Sequence, residues 1–343
     1  MQAEADAKRF GGVVMVVQGD SVLFERAAGE ALRSANLPIT RDTRFPLASI
    51  GKLFTAVAIG QLLDQGKLAL DDPLTHWLPE HTTRPEWSKV TIRQLLAHTS
   101  GFGSYWGAPF EARRTNLKAV ADYFPLFETT PLAFEPGSRF EYSNVGYVLL
   151  GAIIERAGAQ DYFDYVQQHV FDAADMRDSG YFEADEDIPN LAMGYTYRTL
   201  PEGAHNHLPP RTHTQLKPFK GGPAGDAIST APDLVRFGQA LLQGRLLQPN
   251  TFDLFRRPIS IWPPPPGAKL IQRMALGFIT IDSEHGTPIG HTGGSAGTTA
   301  SLFLDPSTGV ITVILASVDH EQAHPIVALL HQTWLNHAFT PAR

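Results

Sequence analysis

Ser49-Ile50-Gly51-Lys52 sets a hydroxyl and an amine three residues apart. On a helix that spacing gives both side chains one face, so the Lys52 ammonium reaches the Ser49 hydroxyl. A serine at a helix start also meets unpaired backbone N–H groups and the positive end of the helix dipole. Both favour an oxyanion, while Lys52 can take or hold the serine proton. That is the chemistry of a serine nucleophile. The plainer alternative is that Ser49 only caps a helix. Against it, Lys52 is the only charge between Arg44 and Asp64, in a segment apolar on every side. A buried ammonium is costly there unless it finds partners or loses its proton.

Two further stretches carry usable groups. Tyr142-Ser143-Asn144 is the only Y-x-N in the chain and stands just before an expected helix, at a loop tip that the helix aims. A phenol beside an ammonium has a stabilised phenolate form, so Tyr142 can shuttle a proton between Ser49 and a leaving group. Asn144 can hydrogen-bond Lys52 and a substrate amide; alternatively it caps the helix and Tyr142 is an ordinary packed ring. His291-Thr292-Gly293-Gly294 closes a short expected strand whose glycines let a substrate backbone or carbonyl approach closely. A backbone N–H near Gly294 then gives a second oxyanion donor opposite that of Ser49, with His291 and Thr292 binding a polar or anionic end of the ligand. Read alone, the two glycines are equally a β-turn. Tyr105 and Trp106, in a loop after Gly103, read as pocket walls that favour apolar or acyl substrates.

The elements that must position these groups follow from periodicity. Residues 12–28 read as a β-hairpin around Gly19-Asp20, and 49–65 as a helix buried on all sides. Helices are expected over 91–98, 144–158 and 161–171, and from Thr230, a plausible N-cap, to about 243. The proline run 263–266 must be a loop. Short strands follow at 276–282, 287–291, 300–305 and 310–317, then a last helix over 322–337. The fold class is therefore α/β (α+β): an antiparallel sheet flanked by helices and built from both chain ends, with a mainly helical domain inserted. The expected division is 1–65 with 225–343 for the sheet domain and 66–224 for the helical one.

Composition narrows the partners. The 343 residues include 28 Lys+Arg against 35 Asp+Glu, with no basic block, so the footprint of a nucleic-acid binder is missing. Hydrophobic residues at 43% against 18% charged exclude a disordered chain. Zero cysteines removes thiol nucleophiles, Cys–zinc sites and disulfides together. No apolar run approaches the roughly 18 residues of a membrane span, and residues 1–10 are too polar for a signal peptide. An exported chain whose signal has been cut off reads the same, so the compartment stays open. His205, His207 and His213 invite a zinc reading, but no carboxylate cluster accompanies them and no metal is expected.

The order S-x-x-K, Y-x-N, H-T-G, each at the edge of an expected element, resembles the serine β-lactamase and penicillin-binding-protein superfamily. Within it the likeness is to the class C-like branch: class C β-lactamases, D-alanyl-D-alanine carboxypeptidases, D-aminopeptidases and esterases. It runs from the opening hairpin to the last helix and includes Leu95-Leu96-Ala97-His98-Thr99-Ser100-Gly101, residues 140–154, and Pro223-Ala224-Gly225-Asp226-Ala227-Ile228-Ser229-Thr230. The resemblance implies a β-lactamase-like fold with the site in the cleft between two domains. It implies a serine hydrolase that passes through an acyl-enzyme on an ester or amide bond, of esterase or D-amino-acid peptidase or carboxypeptidase type, with weak β-lactamase activity. An acyltransferase using the same intermediate, or a non-hydrolytic penicillin-binding or regulatory protein, are the alternatives. By the same resemblance Ser49 is the acylated nucleophile, Lys52 its activating partner, Tyr142 the general base and acid, Asn144 a ligand of substrate and lysine, and His291, Thr292 and Gly293 the third motif. It implies no cofactor, a small-molecule or peptide substrate, and a periplasmic or secreted location.

Three positions depart from the pattern. His291 stands where most β-lactamases carry lysine, so the fixed charge that attracts a β-lactam carboxylate gives way to an imidazole. Asp226 replaces a usual glycine and Gly51 a usual serine or threonine, and the sequence offers no physical account of either.

Overall fold

Val13-Val14-Met15-Val16-Val17 is apolar on both faces, and 310–316 is nearly so; such strands are stable only where both faces are covered. The computed structural model of the chain describes residues 1, 10–81, 84–196, 211–212, 217–262, 271–284, 286–321, 323 and 326–330. In it eight strands form one antiparallel sheet: β1 Gly12–Gln18, β2 Ser21–Ala28, β3 Ser260–Ile261, β4 Gln272–Met274, β5 Ile279–Ile281, β6 Ile289–Ser295, β7 Thr298–Asp305 and β8 Val310–Ala316. Their order across the sheet is β2-β1-β8-β7-β6-β5-β4-β3, so the two ends of the chain meet, with Val14 opposite Ile314. One face, carrying Val13, Met15, Val313 and Leu315, joins the main core. The other, carrying Val14, Ile314 and Ala316, is covered by Ala323, Ile326 and Val327. The last expected helix is helical at its described residues, and the 263–266 loop lies outside them.

Five helices bear on the site: α1 Gly51–Asp64, α2 Ile92–Leu96, α3 Asn144–Gly158, α4 Ala231–Leu242 and α5 Pro249–Phe255. Helix α1 is buried from Gly51 to Gly60 because it packs against α3 and α5. Its Phe54 meets Phe171 and Phe237 edge-on at centroid distances of 4.9 and 5.1 Å, a burial worth roughly 2–3 kcal/mol. Polar side chains start α2 and α4: Thr91 forms a capping box with Gln94, and Thr230 accepts from the Asp233 N–H at 3.3 Å. The segment 161–171 is not one regular helix; it divides into Tyr162–Val166 and a wider turn over Gln167–Phe171. Among the described residues no helix is long and apolar enough to cross a membrane.

One boundary matters for the site. Strand β6 was expected to end at His291, and instead it continues through the glycines to Ser295. Pairing decides this: Gly293 lies opposite Ala300 and Gly294 opposite Thr299 on β7, which outweighs the weak strand preference of glycine.

Candidate active site

Ser49 does not cap a helix. It lies in a 3-10 turn, Ala48–Ile50, just before α1, and neither element has a side-chain cap. Ala48 holds φ at +46°, a left-handed conformation that non-glycine residues seldom adopt. Close backbone contacts hold the turn there. A Cβ on Gly225 would stand 2.6 Å from the Ala48 carbonyl oxygen, and one on Gly293 would stand 2.2 Å from that of Leu47 and 3.2 Å from the Ser49 nitrogen. Glycine is needed on both sides. The Asp226 N–H donates to the Ala48 carbonyl at 3.0 Å, and the Leu47 N–H to that of Ala227 at 2.8 Å. Gly51 is explained likewise, since its Cβ would meet Gly225 Cα at 2.9 Å.

Lys52 is fully buried, and all three of its donors are used. Nζ donates to Ser49 Oγ at 3.3 Å, to Asn144 Oδ1 at 2.8 Å and to the Ala224 carbonyl. Burial pulls its pKa down from 10.5 to about 7, while the charge of Asp226 acts the other way. Near neutral pH the amine is therefore divided between its charged and neutral forms. The Asn144 amide completes a bridge, with Nδ2 donating to Ser104 Oγ at 3.1 Å. Asn144 is the first residue of α3 rather than its cap. Ser143 caps the helix: its Oγ accepts from the Gly146 N–H at 2.9 Å and donates to the Gly103 carbonyl at 2.8 Å.

Tyr142 projects beside this cap. Its ring centroid lies 4.9 Å from Lys52 Nζ, 4.4 Å from that of His98 and 5.3 Å from that of Trp262. Burial raises its pKa, a hydrogen bond with Ser49 opposes the rise, and burial prevails. The resting side chain is a phenol, so the phenolate expected from a neighbouring ammonium does not form. Behind it, His98 Nδ1 accepts from the Ser143 N–H at 3.0 Å. Burial, then the charge of Lys52, holds His98 well below the usual imidazole range, so it is neutral.

These groups open onto a cavity of about 390 Å³. Ser49, Tyr142, Asn144, Tyr105, Trp106 and Gly294, all singled out in the sequence, line it. Ser104, Tyr123, Asp226 and Ser295 line it as well, and sequence reasoning did not place them there. His291 and Thr292 are not on its wall. His291 is buried, and burial followed by the charge of Lys52 pushes its pKa down to about 3, so it carries no charge to offer a ligand. Its Nδ1 donates to the Thr292 carbonyl and its Nε2 is buried without a partner among the described residues. Strand alternation turns Thr292 to the face opposite His291 and Gly293. His205, His207 and His213 lie outside the described residues, among which no group of three His, Asp or Glu side chains gathers to hold a metal.

A family model described as Beta-lactamase matches residues 2–332. Esterase EstB of Burkholderia gladioli is 39% identical over 198 residues, covering 54% of this chain and 50% of the esterase. The penicillin binding protein from Bacillus halodurans superposes with a TM-score of 0.81 at 29% identity, covering 95% of this chain and 98% of that one. A D-stereospecific amidohydrolase from Streptomyces sp. gives 0.76 at 27%, covering 90% and 89%. The chain spans about half the length of the curated relatives it matches first. Shared fold and a match over nearly the whole length lead to one conclusion: this chain belongs to the beta-lactamase family.

Proposed function

We propose that the protein is a serine hydrolase that cleaves an ester or amide through an acyl-enzyme, with Ser49 as nucleophile. The observation that carries this reading is the Lys52 amine, 3.3 Å from Ser49 Oγ and held by burial at a pKa of about 7. In its neutral form it is a base able to accept the serine proton as Oγ attacks the carbonyl carbon. The oxyanion then rests on the backbone N–H groups of Ser49 and Gly294, which the contact of Gly293 with the Ser49 turn brings together. Tyr142, a phenol hydrogen-bonded to Ser49, gives its proton to the leaving group and recovers one from Lys52. Water attacks the acyl-enzyme by the reverse route, its proton returning to Ser49 Oγ through the same pair. Asn144 holds Lys52 in place and presents its amide to the substrate.

We also propose the division into 1–65 with 225–343 and 66–224. In support, the cavity draws Ser49, Asp226 and Gly294 from the first part and Ser104, Tyr142 and Asn144 from the second. The neutral His291 gives a β-lactam carboxylate no cation, so β-lactam hydrolysis is expected to be weak beside ester or peptide cleavage. The test is a fluorophosphonate label and a p-nitrophenyl ester applied to wild type and Ser49→Ala. A panel of short-chain esters, D-alanyl peptides and nitrocefin runs alongside. Labelling mapped to Ser49, with release abolished in the variant, is expected. A wild type that neither labels nor releases product is instead a binding protein, and the proposal falls.

A further inference from the structure

The cavity over Ser49 contains one charged side chain among its described lining residues, and it is an acid, Asp226. The backbone there has φ at +65°, where glycine is unstrained and Asp and Asn are the best tolerated of the other residues. Asp226 Oδ1 is buried and lies 3.4 Å from Lys217 Nζ, whose second partner is Thr298 Oγ1 at 3.3 Å. Oδ1 takes no hydrogen bond among the described residues. Lys217 is not on the wall of the Ser49 cavity; it lines a smaller neighbouring one. Asp226 thus borders both cavities, and Lys217 borders only the smaller. Aromatic rings complete this wall. Tyr105 and Tyr123 are close enough that the charge of Asp226 adds to burial in raising their phenols, and Trp106 is half-exposed at the mouth. A carboxylate within an aromatic box is complementary to an organic cation.

Resting on the serine-hydrolase reading, we propose that Asp226 is a specificity-determining residue that selects acyl substrates bearing an ammonium group beside the scissile carbonyl: amino-acid esters and amides, or peptides with a free amine. The Asp226 N–H is bonded to the Ala48 carbonyl, one residue from the nucleophile, and Asp226 and Ser49 line the same cavity. The carboxylate binds this ammonium and takes no part in the proton transfers.

The test compares D- and L-alanine thiobenzyl esters with the propanoic thiobenzyl ester, which lacks only the amine, by colorimetric reading of the released thiol. The measured quantity is the ratio of kcat/KM for amino to neutral ester within one preparation, which does not depend on the fraction of folded protein. Asp226→Asn suits the left-handed backbone and removes only charge. It is expected to lower the ratio about 10- to 100-fold, the scale of a hydrogen bond to a charged group. Lys217→Met removes the neighbouring cation and leaves the carboxylate, so the ratio holds or rises. A ratio unmoved by Asp226→Asn, or lowered equally by both variants, shows that Asp226 merely pairs with Lys217 and overturns the inference. If wild type cleaves the neutral ester, such a result leaves the hydrolase reading standing; if it cleaves none of the three, both fall.

Discussion

Lys52→Met removes the buried amine and keeps a side chain of similar volume, and its effects on activity and on stability should separate. Lowering a lysine pKa from 10.5 to about 7 corresponds to about 5 kcal/mol of penalty on the charged form. The sign follows from which state binds the proton. Above about pH 10.5 the amine is neutral folded and unfolded, and no penalty exists. As pH falls the unfolded chain takes up the proton first, so the folded state loses stability down to about pH 7, below which the loss is complete. Wild type should thus gain about 2 kcal/mol from this group between about pH 7 and pH 9. Methionine removes that penalty but leaves Asn144 Oδ1 and the Ala224 carbonyl without their donor, at about 1–3 kcal/mol each. The two effects offset, so at neutral pH the variant should lie within about 2 kcal/mol of wild type while losing at least about 1,000-fold in acylation rate. Urea melts followed by tryptophan fluorescence at the two pH values, with stopped-flow release of p-nitrophenol, measure both. Equal gains with pH in the two proteins would refute the burial argument, and retention of a tenth of the acylation rate would remove Lys52 from the chemistry.

The same titration governs catalysis: kcat/KM on a neutral ester should rise with pH through about 7 as Lys52 loses its proton, with no step from His291, which stays neutral above about 3. A flat profile from about pH 5 to 9 contradicts this. Gly293→Ala places a Cβ 2.2 Å from the Leu47 carbonyl and 3.2 Å from the Ser49 nitrogen, pushing β6 off the nucleophile turn. Steady-state kinetics should show a fall in kcat of about 100-fold or more, with KM changing less, and an unaltered kcat would mean that β6 contributes no oxyanion donor.

Much of the site is readable in the sequence because charge and apolar pattern disagree there. Lys52 alone in a segment buried on every side had to be partnered or neutral, and it is partnered, with its proton held only in part near neutral pH. The paired chain ends follow from strands whose apolar runs need cover on both faces. What periodicity does not carry is the conformation of long loops: Ser104, Tyr123 and Asp226 come to the cavity through tertiary contacts, from segments with no repeating pattern. His291 misled for a related reason. A two-residue alternation tells which residues share a face, but the turn packed against Gly293 sends that face into the interior rather than toward the ligand. Gly51 likewise makes sense only beside Gly225, far along the chain.

The bracing of Ser49 between Gly225 and Gly293 bears on when reactivity arises during folding. The serine turn, the tyrosine loop and the glycine strand come from remote parts of the polypeptide, and none is assembled by local contacts alone. On the proposed mechanism a nascent or partly opened molecule therefore carries an inert alcohol, and the serine becomes reactive only with the final docking of its segments. Loss of labelling at Ser49 by a fluorophosphonate should accordingly precede loss of helical signal on gentle heating, which would make the proposed nucleophile the earliest gauge of the molecule's integrity.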